Sequence, residues 1–347
     1  MNNKEQFFNF FLGRELPVCG ELIYSGFESL LNDPYLDIMD DDDNLIFANN
    51  ATAFNFLINT SVAFERLGKI LILFLLNEKN PDIFTNGMFD NIFDGPSGDS
   101  SEKTTITTIL EKLTNSKRII KLMKSHNNSS IVDFIRELSP ESLIIEKSEL
   151  KLLSSFDDFY NNQRYGRFKP NQENTFYEDS KILNDLLKKI AHNQNIVENT
   201  LRTLGETIKK LSQQYYEAIS QKSIAMNLYT WELPGDSSSM TVFLGEKDSL
   251  IDDLLLQRFS KNEVLYLLLY KEIKKIESEI PAPLDIEIDD YFLQKFLNYN
   301  NNQYVISNVQ NALAESEVKH LEAREKEIHQ LIFSYYKNIS NWLLLTL

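Results

Sequence analysis

Two short stretches carry side chains able to hold a phosphate. The first, SKRIIKLMKSH, ends at His126. If it is helical, Lys117, Lys121 and Lys124 share one face with Arg118 beside them, and Ile119, Ile120, Leu122 and Met123 supply the buried side. The second, FYNNQRYGRFK, interleaves Arg164, Arg167 and Lys169 with Tyr160, Tyr165 and Phe168. Arg offers a planar bidentate fork and Lys a point charge, so two such clusters meeting in space would suit an anionic ligand. The structural alternative is equally concrete. Lysines commonly line a solvated helix face, and Phe156, Phe159 and Tyr160, at i, i+3 and i+4, read as core.

Other candidates fall to spacing. The histidines, His126, His192, His320 and His329, never pair at the three-to-five spacing of helical metal sites, so no metal or cofactor is expected. The single cysteine, Cys19, excludes an internal disulfide framework and a Cys-based zinc site. Asp40–Asp43 lacks the alternation and turn glycine of a calcium loop, and Gly95-Pro96-Ser97-Gly98 lacks the ending of a phosphate loop. Glu65, Arg66 and Lys69 could form part of a functional surface, but Glu65–Lys69 is also an ordinary i, i+4 helix pair worth about 0.2–0.5 kcal/mol, and the structural reading is favoured.

The elements that must position these residues are helical. In 347 residues, 42% are hydrophobic and 25% charged, the balance of a folded chain long enough for two packed units. Val197, Leu201, Leu204, Ile208, Leu211, Tyr215 and Ile219 form one stripe along a long helix, and a second long helix is expected from Tyr304 to Trp342. Ser260 and Glu263 in capping-box spacing predict a helix start, as do Ser139, Pro140 and Glu141. Breakers predict a surface loop from Pro81 to Lys103 and a separator from Gly166 to Ser180. The expected domains are therefore 1–170 and 181–347. β-Prone runs around Pro234-Gly235-Asp236 predict a small hairpin near 227–248. The fold class is all-α apart from that hairpin.

The net charge of −16 opposes general nucleic-acid binding, so any such role must rest on a local basic patch. Ile70–Leu76, ILILFLL, is the longest apolar stretch and far too short to span a bilayer. The N-terminal MNNKEQFFNFFLGRELP carries no targeting pattern, so a cytoplasmic protein away from membranes is expected.

Three segments resemble the bacterial HEPN-like helical superfamily, relatives of the abortive-infection proteins that restrict phage. They are TSVAFERLGKILILFL (Thr60–Leu75), SHNNSSIVDFI (Ser125–Ile135) and SSFDDFYNNQRYGRF (Ser154–Phe168), within residues 20–170. The resemblance implies a bundle of four or more helices that often dimerises. Its members are metal-independent ribonucleases or inactive binding modules. Active members carry Arg, four to six residues, then His. Here Arg164 has no following His, and Arg118 precedes His126 by eight positions. Arg324 and His329 fit the spacing but lie outside the resembling region, and a five-residue helical step turns them onto different faces. The preferred expectation is a non-catalytic interaction or sensing module of a phage-defence or stress system. It would engage a protein partner, a second copy, or RNA or nucleotide through the basic patch. The alternative is a metal-independent endoribonuclease with His126 as acid/base and Arg164 stabilising phosphate charge.

Overall fold

The computed structural model describes residues 2–33, 46–47, 50–84, 116–165, 179–190, 197–235, 237–277, 279–298, 303–316, 318 and 320–346. Among them the chain is helical and contains no strand. It divides into two compact units, Met1–Ile251 and Asp252–Leu347, rather than between residues 170 and 181. The physical reason is the stripe on the long helix after the separator, which buries its apolar face within the first unit. Tyr215 on that stripe lies 6.1 Å, ring to ring, from Phe64.

In the first unit, helices α1 (Asn3–Gln6) and α2 (Leu12–Leu31) flank a π-helical turn, Phe7–Phe11. They are followed by α3 (Asn50–Lys79). After it come α4 (Ser116–Lys124), α5 (Asn128–Leu138) and α6 (Lys147–Asp158), the last running into a second π-helical turn, Phe159–Gln163. Then follow α7 (Asp179–Ile190), α8 (Val197–Ala225) and α9 (Ser238–Leu244).

Helix α3 is the centre. It packs against α2, α5, α6, α7 and α8. Its residues Ile70–Leu76 are all buried, which an amphipathic surface helix cannot be. Phe56, Phe64 and Leu67 extend the buried surface toward Phe156 on α6. The apolar run that is too short for a membrane is thus the axis of the bundle. No described helix is long and apolar enough to cross a bilayer.

Several sequence expectations change. The 227–248 segment holds turns and the helix α9 rather than a hairpin. Val242 and Phe243 are buried, with Phe243 stacked on Tyr216 of α8 at 5.3 Å. Close approach of α9 to α2 at Gly20 leaves no room for even a Cβ there, which would sit 2.4 Å from Ser239 Cβ. Ser139 ends α5, and α6 begins only at Lys147, with Glu146 and Glu149 forming the capping box. The Asp40–Asp43 run, Gly95–Gly98 and nearly all of the Pro81–Lys103 and Gly166–Ser180 segments lie outside the described residues.

The second unit contains most of α10 (Leu250–Ile276), then α11 (Asp290–Asn298), α12 (Gln303–Ala314) and α13 (Leu321–Thr346). Ser260 does not start a helix, because α10 runs through it and its hydroxyl donates to the Leu256 carbonyl. The expected helix from Tyr304 to Trp342 is two helices broken between Ala314 and Leu321. Phe259, Val264, Leu284, Phe292 and Val309 form one core cluster there, and Tyr266, Ile273, Ile328 and Ile332 another.

Cys19 is fully buried on α2, and desolvation pushes its thiol well above the usual range. The native protein is expected to leave a thiol reagent unreacted, with one thiol titrating once urea unfolds the first unit. Fast labelling of the folded protein would contradict this packing.

A histidine held by a buried carboxylate beside a stacked arginine

Glu65 sits on the enclosed face of α3, 6% exposed. A buried carboxylate needs partners for its oxygens. Lys69, one turn on, donates to Oε1 at 2.5 Å. Oε2 lies 2.8 Å from His126 Nδ1. A carboxylate only accepts, so this contact places a ring proton on Nδ1, and in the neutral imidazole the lone pair is then on Nε2. The His126 side chain is 45% exposed, so the ring is anchored at one nitrogen and open to solvent.

The turn carrying His126 is fixed from α6. Asp157, itself buried, accepts from the amides of Asn128 and Ser129 at 2.5 and 2.9 Å and from the Ser129 hydroxyl at 2.6 Å. This anchors an anion at the N-terminus of α5, where the helix dipole favours it. Asn127 caps the same helix through Ser130 N. Asn161 donates to the carbonyls of Asp157 and His126 at 2.9 and 3.4 Å.

The π-helical turn then delivers the second half of the site. Its wider winding closes with Arg164 N donating to Phe159 O, five residues back. The His126 ring lies 4.6 Å from that of Tyr160, and the Arg164 guanidinium carbon sits 3.7 Å from the same ring. These two lengths bound the separation of imidazole and guanidinium, two groups 38 positions apart in the chain. Arg164 also lies 4.6 Å from the Tyr165 ring. Its Nε is buried without a hydrogen-bond partner, and no described carboxylate pairs with it. An arginine with no acidic partner among the described residues can offer its guanidinium to an exogenous anion.

The remaining candidates divide. Lys121 and Lys124 are exposed on α4, which ends two residues before His126, and neither has a charged partner among the described residues. Lys117 also lies on α4. Arg118 is committed elsewhere: it binds Glu137 at 2.6 Å and lies over Phe134. That hydrogen bond holds Glu137 below the usual carboxylate range and raises Arg118. Arg167 and Lys169 lie outside the described residues. Arg324 is structural: it donates to the fully buried Glu263 at 2.9 and 2.5 Å and to the Ala282 carbonyl. No group of His, Cys, Asp and Glu suited to a metal gathers among the described residues.

Two members gain a role that the sequence does not reveal. Glu65 reads as part of a functional surface or as an ordinary pair with Lys69, and its second partner, His126, lies 61 positions on. Tyr160 reads either as part of the basic-aromatic stretch or as core with Phe156 and Phe159, and only those two phenylalanines are fully buried. No family model, curated protein or solved structure matches the chain.

Gly68 controls how close α5 approaches α3 next to Glu65. A Cβ there would stand 2.3 Å from Ile131 Cγ2. Gly68→Ala is expected to destabilise the first unit by about 1–3 kcal/mol through overpacking. Ile131→Ala in the same chain should recover part of that loss, read as non-additivity in urea midpoints. Additive losses would show that the two residues do not press on each other.

Proposed function

We propose that the first unit binds the phosphodiester of RNA and cleaves it without a metal, using His126 and Arg164. The observation that carries this reading is the ring of Tyr160, against which both the carboxylate-anchored imidazole and the Arg164 guanidinium rest. In this scheme His126 Nε2 takes the proton of the ribose 2′-hydroxyl. The O2′–P bond forms as the P–O5′ bond breaks. The protonated imidazole or solvent returns a proton to O5′, leaving a 2′,3′-cyclic phosphate and a 5′-hydroxyl. Arg164 neutralises the charge that grows on the non-bridging oxygens, and Lys121 and Lys124 supply longer-range attraction. Glu65 is a positioning residue: it holds the tautomer and orientation of His126, and Lys69 balances its charge. The HEPN-like proteins that the chain resembles include metal-independent ribonucleases, although here His126 precedes Arg164 instead of following an arginine by four to six residues.

The net charge of −16 favours a second reading. Such a chain repels free RNA at long range, which suits a non-catalytic sensing or interaction module of a phage-defence or stress system. The phosphate would then be bound without being cleaved.

Incubation of the purified chain with RNA in EDTA distinguishes the two. Cleavage is expected from the wild type, with His126→Ala lowering the rate by about 10²–10⁴-fold and Arg164→Ala by about 10²–10³-fold. Glu65→Gln should lower the rate less than His126→Ala, and the cleaved ends should be cyclic phosphates. Equal cleavage by wild type and all variants would refute the assignment. Wild-type binding without cleavage would establish the second reading.

A further inference from the structure

The scheme above uses His126 Nε2 as a base, yet the same atom is placed to act as a nucleophile. Its ring carries a proton on Nδ1, held by the buried Glu65 at 2.8 Å, and the side chain is 45% exposed. The neutral imidazole fixed in this way has its lone pair on the nitrogen away from the carboxylate. Arg164 completes the arrangement. Its guanidinium and the imidazole both rest on the Tyr160 ring, at 3.7 and 4.6 Å, so a group carried on the imidazole lies beside a cation. A guanidinium stacked on a ring keeps its in-plane N–H edges for phosphoryl oxygens. Lys124, exposed at the end of α4, adds a second positive charge two residues before His126.

We propose that His126 accepts a phosphoryl group on Nε2 from a phosphoramidate, the P–N class to which phosphohistidine itself belongs. This function goes beyond the phosphodiester reading and does not depend on it. In the step, the Nε2 lone pair attacks phosphorus, and the Nε2–P bond forms as the donor's P–N bond breaks. The donor nitrogen leaves as a neutral amine, keeping the bonding pair and the protons it already carries. The ring, still protonated on Nδ1, becomes a phosphoimidazolium whose positive charge faces the Glu65 carboxylate. Arg164 offsets the charge on the phosphoryl oxygens as they pass through the transition state. The step releases no proton and therefore needs no second base. A phosphoryl group on Nε2 also occupies the lone pair that takes the ribose proton, so the modified chain is inactive in that scheme.

The chain carries its own controls. His320 and His329 are exposed, and no carboxylate holds either ring among the described residues. The test incubates the full chain with potassium phosphoramidate in EDTA and follows each histidine by phosphorus NMR and by tandem mass spectrometry without acid. His126 is expected to label about tenfold faster than His320 or His329, and at Nε2 alone. Arg164→Ala should slow His126 by about tenfold and leave the other two unchanged, and Arg164→Lys should recover most of the rate. Glu65→Gln keeps an acceptor for Nδ1–H but removes the charge facing the imidazolium, so it should also slow His126 while preserving the Nε2 position. Labelling of His126 no faster than of His320 and His329, or unchanged in Arg164→Ala, overturns the proposal. If RNA is cleaved while His126 takes up no phosphoryl group, this proposal fails and the phosphodiester reading stands. If His126 labels selectively in a chain that cleaves no RNA, the phosphoryl-acceptor assignment stands and the cleavage reading fails.

Discussion

The first unit depends on hiding one carboxylate. Helix α3 is enclosed by neighbours and apolar along most of its length, yet it carries Glu65 inward. Burying an unpaired carboxylate costs several kcal/mol, roughly 3–5 when a partner is removed from a buried pair. Lys69 satisfies one oxygen from the same helix, but the other is met only by a residue from elsewhere. His126 fills that role, and Asp157 ties the His126 turn to α6. The packing of the bundle and the orientation of its exposed imidazole are therefore one constraint.

Charge pairing explains how an acidic chain presents cations at all. Arg66 binds Glu15, Arg118 binds Glu137, Lys210 binds Glu146 and Lys222 binds Glu78. Each basic side chain that finds an acid is neutralised locally. The chain has 51 acidic residues against 35 basic ones, so acids are plentiful. Arg164 instead lies against two tyrosines, set there by the π-helical turn. The aromatic surroundings preserve the charge that a salt bridge would have spent.

The second unit shows the converse. Arg324 matches the spacing expected of a catalytic arginine before His329, yet its guanidinium fills a structural need, the burial of Glu263 on α10. Glu263 also accepts from the Leu284 amide at 2.8 Å, so this arginine helps fix the segment after α10. Spacing along a chain says which residues share a helix face, whereas a buried acid decides which arginine is occupied.

The sequence alone determined the helical class, the long helix from Val197 and the two basic stretches, because those properties are local to a few turns of chain, whereas the burial of Ile70–Leu76 is a result of the tertiary packing. Element ends were less legible. Ser260, and Ser139 with Pro140, carry start signals that tertiary packing overrides, and the β-prone residues before Asp248 form α9 where Val242 and Phe243 meet the core. The candidate site was legible only as ingredients. His126, Arg164, Lys121 and Lys124 could be named from their types, and the Tyr160–Arg164 contact is local at i, i+4, but Glu65 meets His126 across 61 positions and Tyr160 meets His126 across 34. Such contacts are decided by how α3, α5 and α6 pack, a long-range outcome that no window of sequence contains.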